Sequence, residues 1–413
     1  MRWHTVAQAL ALVRRRPGIT RAALARELKL TSGFAAELVS RMRQARLLTE
    51  TPAAATGRGR PTTVLEPHPD GPMVLAIELR QDVWRHALVT VDGQLHDVRS
   101  HRHRDRDPAT VLAAMRGVVD QTGAALGPRL RAVALAAAGT VRDHRLVQAT
   151  TLGWGETDLT ALTRGIELPL LVGNDATLAG VAEARTGAAS TTHTALHLIT
   201  TTGIGGVVTV DGQPLTGTHG AAGEFGHLPL GDRRLACPCG ARGCWDLEVD
   251  GRALARHLGE PAPANPYDYA LAVLARAAAA DDGTADRALD GAGQRASERA
   301  TERAAEGAVG GSAERAAVDA VAEALGSGIA GLVNICDPGL VTFAGLGPVI
   351  RRVAGPVFER AYIGGLMRGH RADPPAIVEA AHGDDGPLRG AALMGLDHIT
   401  AEDALAAWSG LER

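Results

Sequence analysis

One histidine and three cysteines lie close together near the middle of this 413-residue chain. His227 is followed by Cys237, Cys239 and Cys244, a span short enough for the four side chains to meet on one ion. Structural zinc is held by closed tetrahedral sets of thiolate and imidazole ligands, and Cys₃His is one of its standard sets. The spacing therefore predicts one structural Zn²⁺. A disulfide with a spare thiol, or plain buried cysteines, are the alternatives; disulfides belong to oxidising compartments, and no secretory feature is evident.

A second group of polar residues follows an apolar run that predicts a strand. Gly173-Asn174-Asp175-Ala176 lies at the end of this run and opens a predicted helix. A carboxylate at the carboxyl end of a strand is well placed to act as a general base. The same residues also suit an ordinary helix N-cap, which the pattern alone favours. Residues 202–206, Thr-Gly-Ile-Gly-Gly, form a glycine-rich turn that is only weak evidence for phosphate binding.

These motifs resemble those of the ROK family, whose members are sugar-responsive repressors and sugar kinases. Residues 220–228 read Gly-Ala-Ala-Gly-Glu-Phe-Gly-His-Leu, and residues 237–244 read Cys-Pro-Cys-Gly-Ala-Arg-Gly-Cys, in the family's order and spacing. The resemblance implies a two-lobed, actin-like (ribonuclease H-like) ATPase body with a ligand cleft between its lobes. It covers nearly the whole chain except residues 276–318, which are rich in Ala, Arg, Glu and Gly.

The resemblance also implies which residues contact a sugar. Asn174 and Asp175 match the family's Asn-Asp-Ala motif, and Glu224 and His227 match its sugar-binding Glu and His. His227 would hold zinc through one ring nitrogen and offer the other to the ligand. Asp246 stands where the family usually has Glu, so we expect this shorter carboxylate to contact a different sugar or none.

One motif of the family's kinases is altered. Their first phosphate-binding turn reads Asp-x-Gly-Gly-Thr, whereas the same register here reads Glu78-Leu-Arg80-Gln81-Asp82. Bulky side chains thus stand where the backbone would approach a phosphate. We therefore predict that the chain is not an enzyme, that it has no catalytic residue, and that Asp175 is a vestigial base.

The amino-terminal region differs in charge from the rest of the chain. Residues 1–60 hold twelve Arg or Lys against three Glu, whereas the whole chain has a net charge of −3. A basic head on an acidic body is typical of a nucleic-acid-binding module joined to another domain. A solvated basic surface is the alternative, and charge alone does not exclude it.

Apolar periodicity in this head predicts a winged helix-turn-helix. Val6, Leu10 and Val13 recur at helical spacing; Thr20 is a predicted N-cap, and a third helix is predicted from about Ser32. Such a third helix enters the major groove of DNA, and an arginine-bearing wing follows it. The small residues at the start of this helix have few hydrogen-bonding groups, so we expect few direct contacts to base edges. The predicted DNA contacts are Ser32, Gly33, Ala35, Ala36, Ser40, Arg41, Arg43, Arg58 and Arg60.

The remaining sequence predicts an α/β body, because short apolar runs alternate with helical segments. The candidate strands include Met73–Leu79 and Leu130–Ala137, and one candidate helix is Pro348–Arg368. The predicted domains are residues 1–66 (winged helix-turn-helix), 72–188 with the returning helix 386–400 (first lobe), and 189–385 (second lobe). The chain shows no leader and no apolar run long enough for a membrane span, so we expect a cytoplasmic protein without membrane contact.

Taken together, these features predict a transcriptional regulator and favour a repressor over an activator. It would bind an inverted-repeat double-stranded operator as a homodimer or homotetramer and respond to a sugar-like effector. Two alternatives stay open. One is an active sugar kinase with a DNA-binding head, and the other is a ligand-independent regulator that acts through protein partners.

Overall fold

The computed structural model describes residues 3–53, 63–103, 107–149, 151–218, 220–282 and 311–410. The chain folds into two compact units. The first is Met1–Thr186 with Asp385–Arg413, and the second is Gly187–Asp384. The basic head belongs to the first unit, so its predicted boundary at residue 66 stays a prediction.

The head consists of three helices and a two-stranded wing. Thr20 and Thr31 accept hydrogen bonds from the N–H groups of Ala23 and Phe34, so each caps the helix that follows it. The predicted N-cap at Thr20 is thus confirmed. The elements are α1 (Trp3–Arg15), α2 (Arg21–Glu27), α3 (Ser32–Gln44), β1 (Leu48–Pro52) and the antiparallel β2 (Thr63–Pro67).

The body part of the first unit is built on a five-stranded sheet with the order β10-β6-β3-β4-β5. Its strands are β3 (Met73–Leu79), β4 (Val83–Val89), β5 (Leu95–Arg102), β6 (Leu130–Ala137) and β10 (Leu170–Asn174). Helix α4 (Pro108–Leu126) precedes β6, and α5 (Asp175–Thr186) follows β10 directly. The strands β7 (Thr140–Arg142), β8 (Arg145–Gln148) and β9 (Thr157–Asp158) form a small separate sheet. Since β3, β6 and β10 are parallel, their carboxyl ends meet at one edge of the large sheet.

The second unit has its own five-stranded sheet with the order β13-β12-β11-β14-β15. Its strands are β11 (Thr194–Thr201), β12 (Gly203–Val210), β13 (Gln213–Pro214), β14 (Leu340–Gly345) and β15 (Ala376–Glu379). Its helices are α6 (Gly251–His257), α7 (Pro266–Asp282), α8 (Gly311–Cys336), α9 (Leu346–Val353), α10 (Gly355–Gly365) and α11 (Arg368–Ala372). Helix α8 is apolar and long enough to cross a membrane from Ala313 to Cys336, but 61% of its most apolar window is buried inside the protein, as in a core helix.

The chain ends in two helices that belong to the first unit, α12 (Gly386–Ile399) and α13 (Glu402–Gly410). Helix α12 packs against α5 and the large sheet, and a Cβ at Gly390 would lie 2.0 Å from the carbonyl oxygen of Leu178 on α5. Helix α13 packs on the head, where Trp408 donates a hydrogen bond to the carbonyl oxygen of Ala45 (2.7 Å). The first unit therefore holds head and body together by direct packing.

The predicted α/β fold is confirmed, but one predicted helix was wrong and one strand was missed. A single helix was predicted over residues 348–368, but the chain leaves the helical path at Ala354 and restarts at α10, because Pro356 has no N–H to continue the ladder. Strand β5 was not predicted, since its exposed, charged residues lack the apolar alternation of a half-buried strand.

Candidate functional site

The second unit brings together the four predicted metal ligands. The ligand atoms of His227, Cys237, Cys239 and Cys244 all lie within 4.8 Å of one another. The Sγ atoms of Cys239 and Cys244 are 3.7 Å apart, and Nδ1 of His227 is 3.8 Å from Sγ of Cys237. Four ligands about 2.3 Å from a zinc ion would be about 3.8 Å from one another in a tetrahedron. The four cysteines of the chain are free thiols, so the cluster fits a metal ion and not a disulfide.

Tight turns shape the backbone around these ligands. Gly240 and Gly243 have φ angles of 95° and 70°, in the left-handed region that glycine enters without strain. A Cβ at Gly243 would also lie 2.9 Å from the carbonyl oxygen of Gly231. The amide of Cys237 donates a hydrogen bond to the carbonyl oxygen of Ala241 (2.9 Å), which closes the turn between the first two cysteines and the third.

The pKa values of the three thiols shift in different directions, and that of Cys239 is lowered because hydrogen bonds outweigh its burial. Burial raises the pKa of Cys244 to about 12, and its hydrogen bonds with Cys239 and Cys237 add to this effect. Burial likewise raises the pKa of Cys237. Neither thiol would ionise near neutral pH unless a positive charge stabilised the thiolate, which is what a bound metal supplies.

His227 lies between the metal cluster and Glu224, which is a predicted sugar-binding residue of this unit. It lies in a short 3₁₀ turn, Phe225–His227, directly after Glu224. Its Nδ1 faces the thiols, and its Nε2 lies 3.9 Å from a carboxylate oxygen of Glu224. The side chain of Glu224 is 39% exposed. The ring is thus oriented with one nitrogen toward the metal site and the other toward the carboxylate.

Asp246 forms two contacts within the second unit that the sequence does not predict. Its Oδ1 accepts a hydrogen bond from the amide of Ile204 (2.7 Å), and its Oδ2 is 3.3 Å from the guanidinium of Arg252. A Cβ at Gly203 would lie only 2.1 Å from Oδ1. Asp246 therefore joins the metal-binding segment to the glycine-rich turn. Bracing is the role that these contacts show, and sugar contact by Asp246 stays a prediction.

In the first unit, Asn174 and Asp175 lie at the carboxyl end of β10, where α5 begins. The side-chain oxygen of Asn174 accepts a hydrogen bond from the amide of Thr177 (2.9 Å), so Asn174 caps the helix as the pattern alone favours. Burial, with a contribution from Glu78, raises the pKa of Asp175 to about 7. A carboxyl group with this pKa has the value that suits a general base near neutral pH.

The head presents its predicted DNA-contacting face on α3. Ser32, Gly33, Ser40, Arg41 and Arg43 are exposed, and Ala36 is partly buried. The prediction for Ala35 is wrong, because its side chain is 1% exposed and packs in the head's core. Sequence reasoning missed Phe34, which is 38% exposed in the first turn of α3. Its apolar type at an exposed position was the signal that could have identified it. Arg58 and Arg60 lie outside the described residues.

The ROK family model matches residues 74–398, which is most of the body. The chain belongs to the ROK family. A ROK family transcriptional regulator, a homologue of the E. coli MLC protein, has the same fold: the TM-score is 0.68 at 20% identity, and the match covers 98% of both chains. A ROK glucokinase from Streptomyces griseus, in complex with glucose and AMPPNP, matches with a TM-score of 0.60 at 24% identity, over 78% of this chain and 99% of its own.

Two sequence relatives of this ROK protein are named as kinases. A glucokinase from Streptomyces coelicolor is 32% identical over 162 residues, which is 38% of this chain and 50% of that protein. An N-acetylmannosamine kinase from Shigella flexneri is 29% identical over 186 residues, 44% of this chain and 62% of that protein. The matches thus span about half to three fifths of these relatives. They contradict the prediction that the chain is not an enzyme, since they make sugar phosphorylation a real candidate activity.

The structure also shows what occupies the altered first phosphate-binding turn of this ROK body. Glu78 on β3 is fully buried and forms an ion pair with Arg80. It also accepts a hydrogen bond from Nε of Arg85 (2.7 Å), and Arg85 reaches Asp385 at 2.8 Å. The prediction of lost activity rested on bulky side chains and on the negative charge of Asp82, and it did not include these ion pairs. The guanidinium groups of Arg80 and Arg85 balance the negative charge of Glu78 at this edge of the sheet. The replacement of the two glycines by larger residues therefore does not by itself exclude an enzyme.

Proposed function

We propose that this chain is a DNA-binding transcriptional regulator whose ROK body binds a sugar or sugar-like ligand. One observation carries the proposal: a winged helix-turn-helix, with both α2 and α3 capped, is joined to the family's body. The glucokinase structure accounts for 78% of this chain, whereas the regulator structure accounts for 98%. The difference is about the size of the head.

The DNA-binding face would combine the exposed part of α3 with the wing. Arg41 and Arg43 would contact phosphates at the end of α3, together with the wing residues Arg58 and Arg60. Ser32, Gly33, Ala36 and Ser40 remain the proposed base-reading positions. Phe34 offers an apolar surface of the kind that contacts a thymine methyl group. An inverted-repeat operator bound by a homodimer or homotetramer would match the paired heads.

The ligand contacts would come from Asn174, Asp175, Glu224 and His227, with Asp246 as a brace for the glycine-rich turn. These side chains offer the carboxylate, amide and imidazole groups that bind hydroxyl groups, and a site built for a hydroxyl rejects analogues that lack it. The metal of the Cys₃His cluster is proposed to be zinc, which would hold the loop that carries Glu224 in place. We expect the protein to work in the cytoplasm.

Selection of bound duplexes from a random-sequence pool tests the DNA-binding part. The full chain should enrich an inverted repeat, and Arg43→Ala should weaken binding to it because a phosphate contact is lost. Arg116→Ala serves as the control, since Arg116 lies on α4 and pairs with Asp120. Failure to enrich any sequence would refute the proposal.

Sugar phosphorylation is the second candidate function, and the pKa of Asp175 favours it together with the kinase relatives. An ATP-coupled assay with glucose and N-acetylmannosamine decides it. If the protein is a kinase, Asp175→Asn should abolish turnover, since the base that accepts the hydroxyl proton is lost. Operator binding that no sugar alters would instead favour a regulator that acts through protein partners.

A further inference from the structure

An ionic cluster joins the first helix of the head to the body, and its central carboxylate, Asp397, has a side chain that is 48% exposed. Arg14 on α1 has a side chain that is only 7% exposed, and its NH2 donates a hydrogen bond to Oγ1 of Thr400 (3.3 Å), just after α12. Its NH1 lies 4.0 Å from Oδ1 of Asp397 on α12. The other oxygen of Asp397 pairs with Arg185 near the end of α5. Three helices thus meet at one carboxylate.

The cluster is incompletely satisfied. NH1 of Arg14 is buried and has no hydrogen-bond partner among the residues that the structure describes. Leaving a buried charged donor without an acceptor is costly. A charge-assisted hydrogen bond between a guanidinium and a carboxylate has a length of about 2.7–2.9 Å. A relative shift of about 1 Å between α1 and α12 would therefore form the hydrogen bond between Arg14 and Asp397 or separate the two groups further.

The same cluster lies at the far end of the helix that begins at the proposed ligand residues. Asp175 is the first residue of α5, and Arg185 lies ten residues later, about 15 Å along the axis. Helices α5 and α12 are in near-backbone contact: a Cβ at Gly390 would overlap Leu178, and one at Gly386 would lie 3.1 Å from Cβ of Ala179. Helices packed this closely transmit strain from one to the other.

A second contact between the head and the body is made by helix α13. Helix α13 follows Thr400 and places Leu405 and Trp408 in the core of the head, together with Val91 from the turn after β4. The head is therefore held on the body at α1 and at α13. A displacement of α12 would reach both contacts, because α12 carries Asp397 and leads directly into α13.

We propose that the Arg14–Asp397–Arg185 cluster couples ligand binding at Asn174 and Asp175 to the orientation of the DNA-binding head. This inference rests on the proposed function and adds its route of regulation. Ligand at the start of α5 shifts α5 and α12 as a pair, and the change in the Arg14–Asp397 contact reorients α1 and the head. Coupling of this kind requires only that the ligand bind one of two arrangements more tightly.

The test measures coupling separately from either binding event. Affinity for the duplex selected by the parent protein is measured without sugar and with saturating glucose or N-acetylmannosamine, using the full chain. The ratio of the two dissociation constants is the coupling factor, and allosteric couplings are typically about 5- to 150-fold. Asp397→Asn, nearly isosteric, and Arg14→Met, similar in length, remove the ionic contact. Arg15→Met is the matched control, since it removes one charge from the exposed side of the same helix.

We expect Asp397→Asn and Arg14→Met to bind sugar with parental affinity but to show a coupling factor below about twofold, while Arg15→Met keeps the parental factor. Circular dichroism confirms folding, and Asp397→Asn decides the matter if Arg14→Met does not fold. A parental coupling factor in Asp397→Asn overturns the inference alone. A parent protein that shows no coupling to glucose, N-acetylmannosamine or any other sugar of a monosaccharide panel overturns sugar regulation itself, and the inference with it.

Discussion

Replacing Asp246 by alanine distinguishes a bracing role from direct sugar contact. The change removes the acceptor of the Ile204 amide, whose residue is only 6% exposed, and one of the two carboxylates that pair with Arg252. An unsatisfied buried amide costs about 1–3 kcal/mol. Loss of part of the Arg252 pairing adds to this, so we expect a loss of about 3 kcal/mol in the free energy of unfolding of the second unit.

For a unit of this size, a loss of about 3 kcal/mol lowers the unfolding midpoint by about 6–12 °C. Differential scanning calorimetry measures it, and Asp246→Asn should lose less, because its oxygen still accepts the Ile204 hydrogen bond. Asp232→Ala is the control from the same segment, where the partner Arg234 is 90% exposed, and its midpoint should stay near the parent's. An unchanged midpoint in Asp246→Ala, together with lost sugar affinity, would refute the brace and support direct contact.

Three further predictions concern the metal, a carboxyl group and the wing. Cys239→Ser should lose bound zinc by elemental analysis and Cys336→Ser should keep it, since Cys336 lies outside the cluster; zinc retained in the first variant would refute the ligand set. The pKa of Asp175 is raised to about 7 in the folded protein, so the folded state binds a proton more tightly than the unfolded state and stability falls as pH rises from about 4 to 7. Asp175→Asn removes this effect and should raise the unfolding midpoint at pH 8 more than at pH 4. Equal effects at the two pH values would contradict this. Arg58→Ala with Arg60→Ala should weaken DNA binding and lower its salt dependence, and unchanged affinity would remove the wing from the interface.

The sequence predicts best what is local or strongly apolar. The four metal ligands lie within eighteen positions of one another, so their spacing alone indicates a shared ion. Strands β3 and β6 were predicted with their observed bounds, because nearly every residue in them is apolar and buried. The caps of the head follow from single residues, as Thr20 illustrates.

Contacts between distant positions could not be predicted. Asp246 meets an amide 42 residues away, and Arg14 meets Thr400 across 386 residues. No periodicity or motif in the sequence predicts these hydrogen bonds, because the partners come together only when the sheets and helices pack. Ala35 shows the same limit within one helix, because its place on the buried side of α3 depends on what α3 packs against.

The enzyme prediction failed for a related reason. It rested on bulky side chains and on the negative charge of Asp82, and it could not include the pairing of Glu78 with Arg80 and Arg85. It also relied on one motif, whereas the kinase relatives match over a much longer stretch of the body. Activity in this family thus has to be measured.

The central claim, a sugar-responsive DNA-binding regulator, is tested most directly by an anisotropy titration of the selected duplex with and without sugar. The account predicts tight binding without sugar, and weaker binding when glucose, N-acetylmannosamine or another sugar of a monosaccharide panel is saturating. A duplex affinity that is the same with every sugar, or no specific duplex at all, would contradict it.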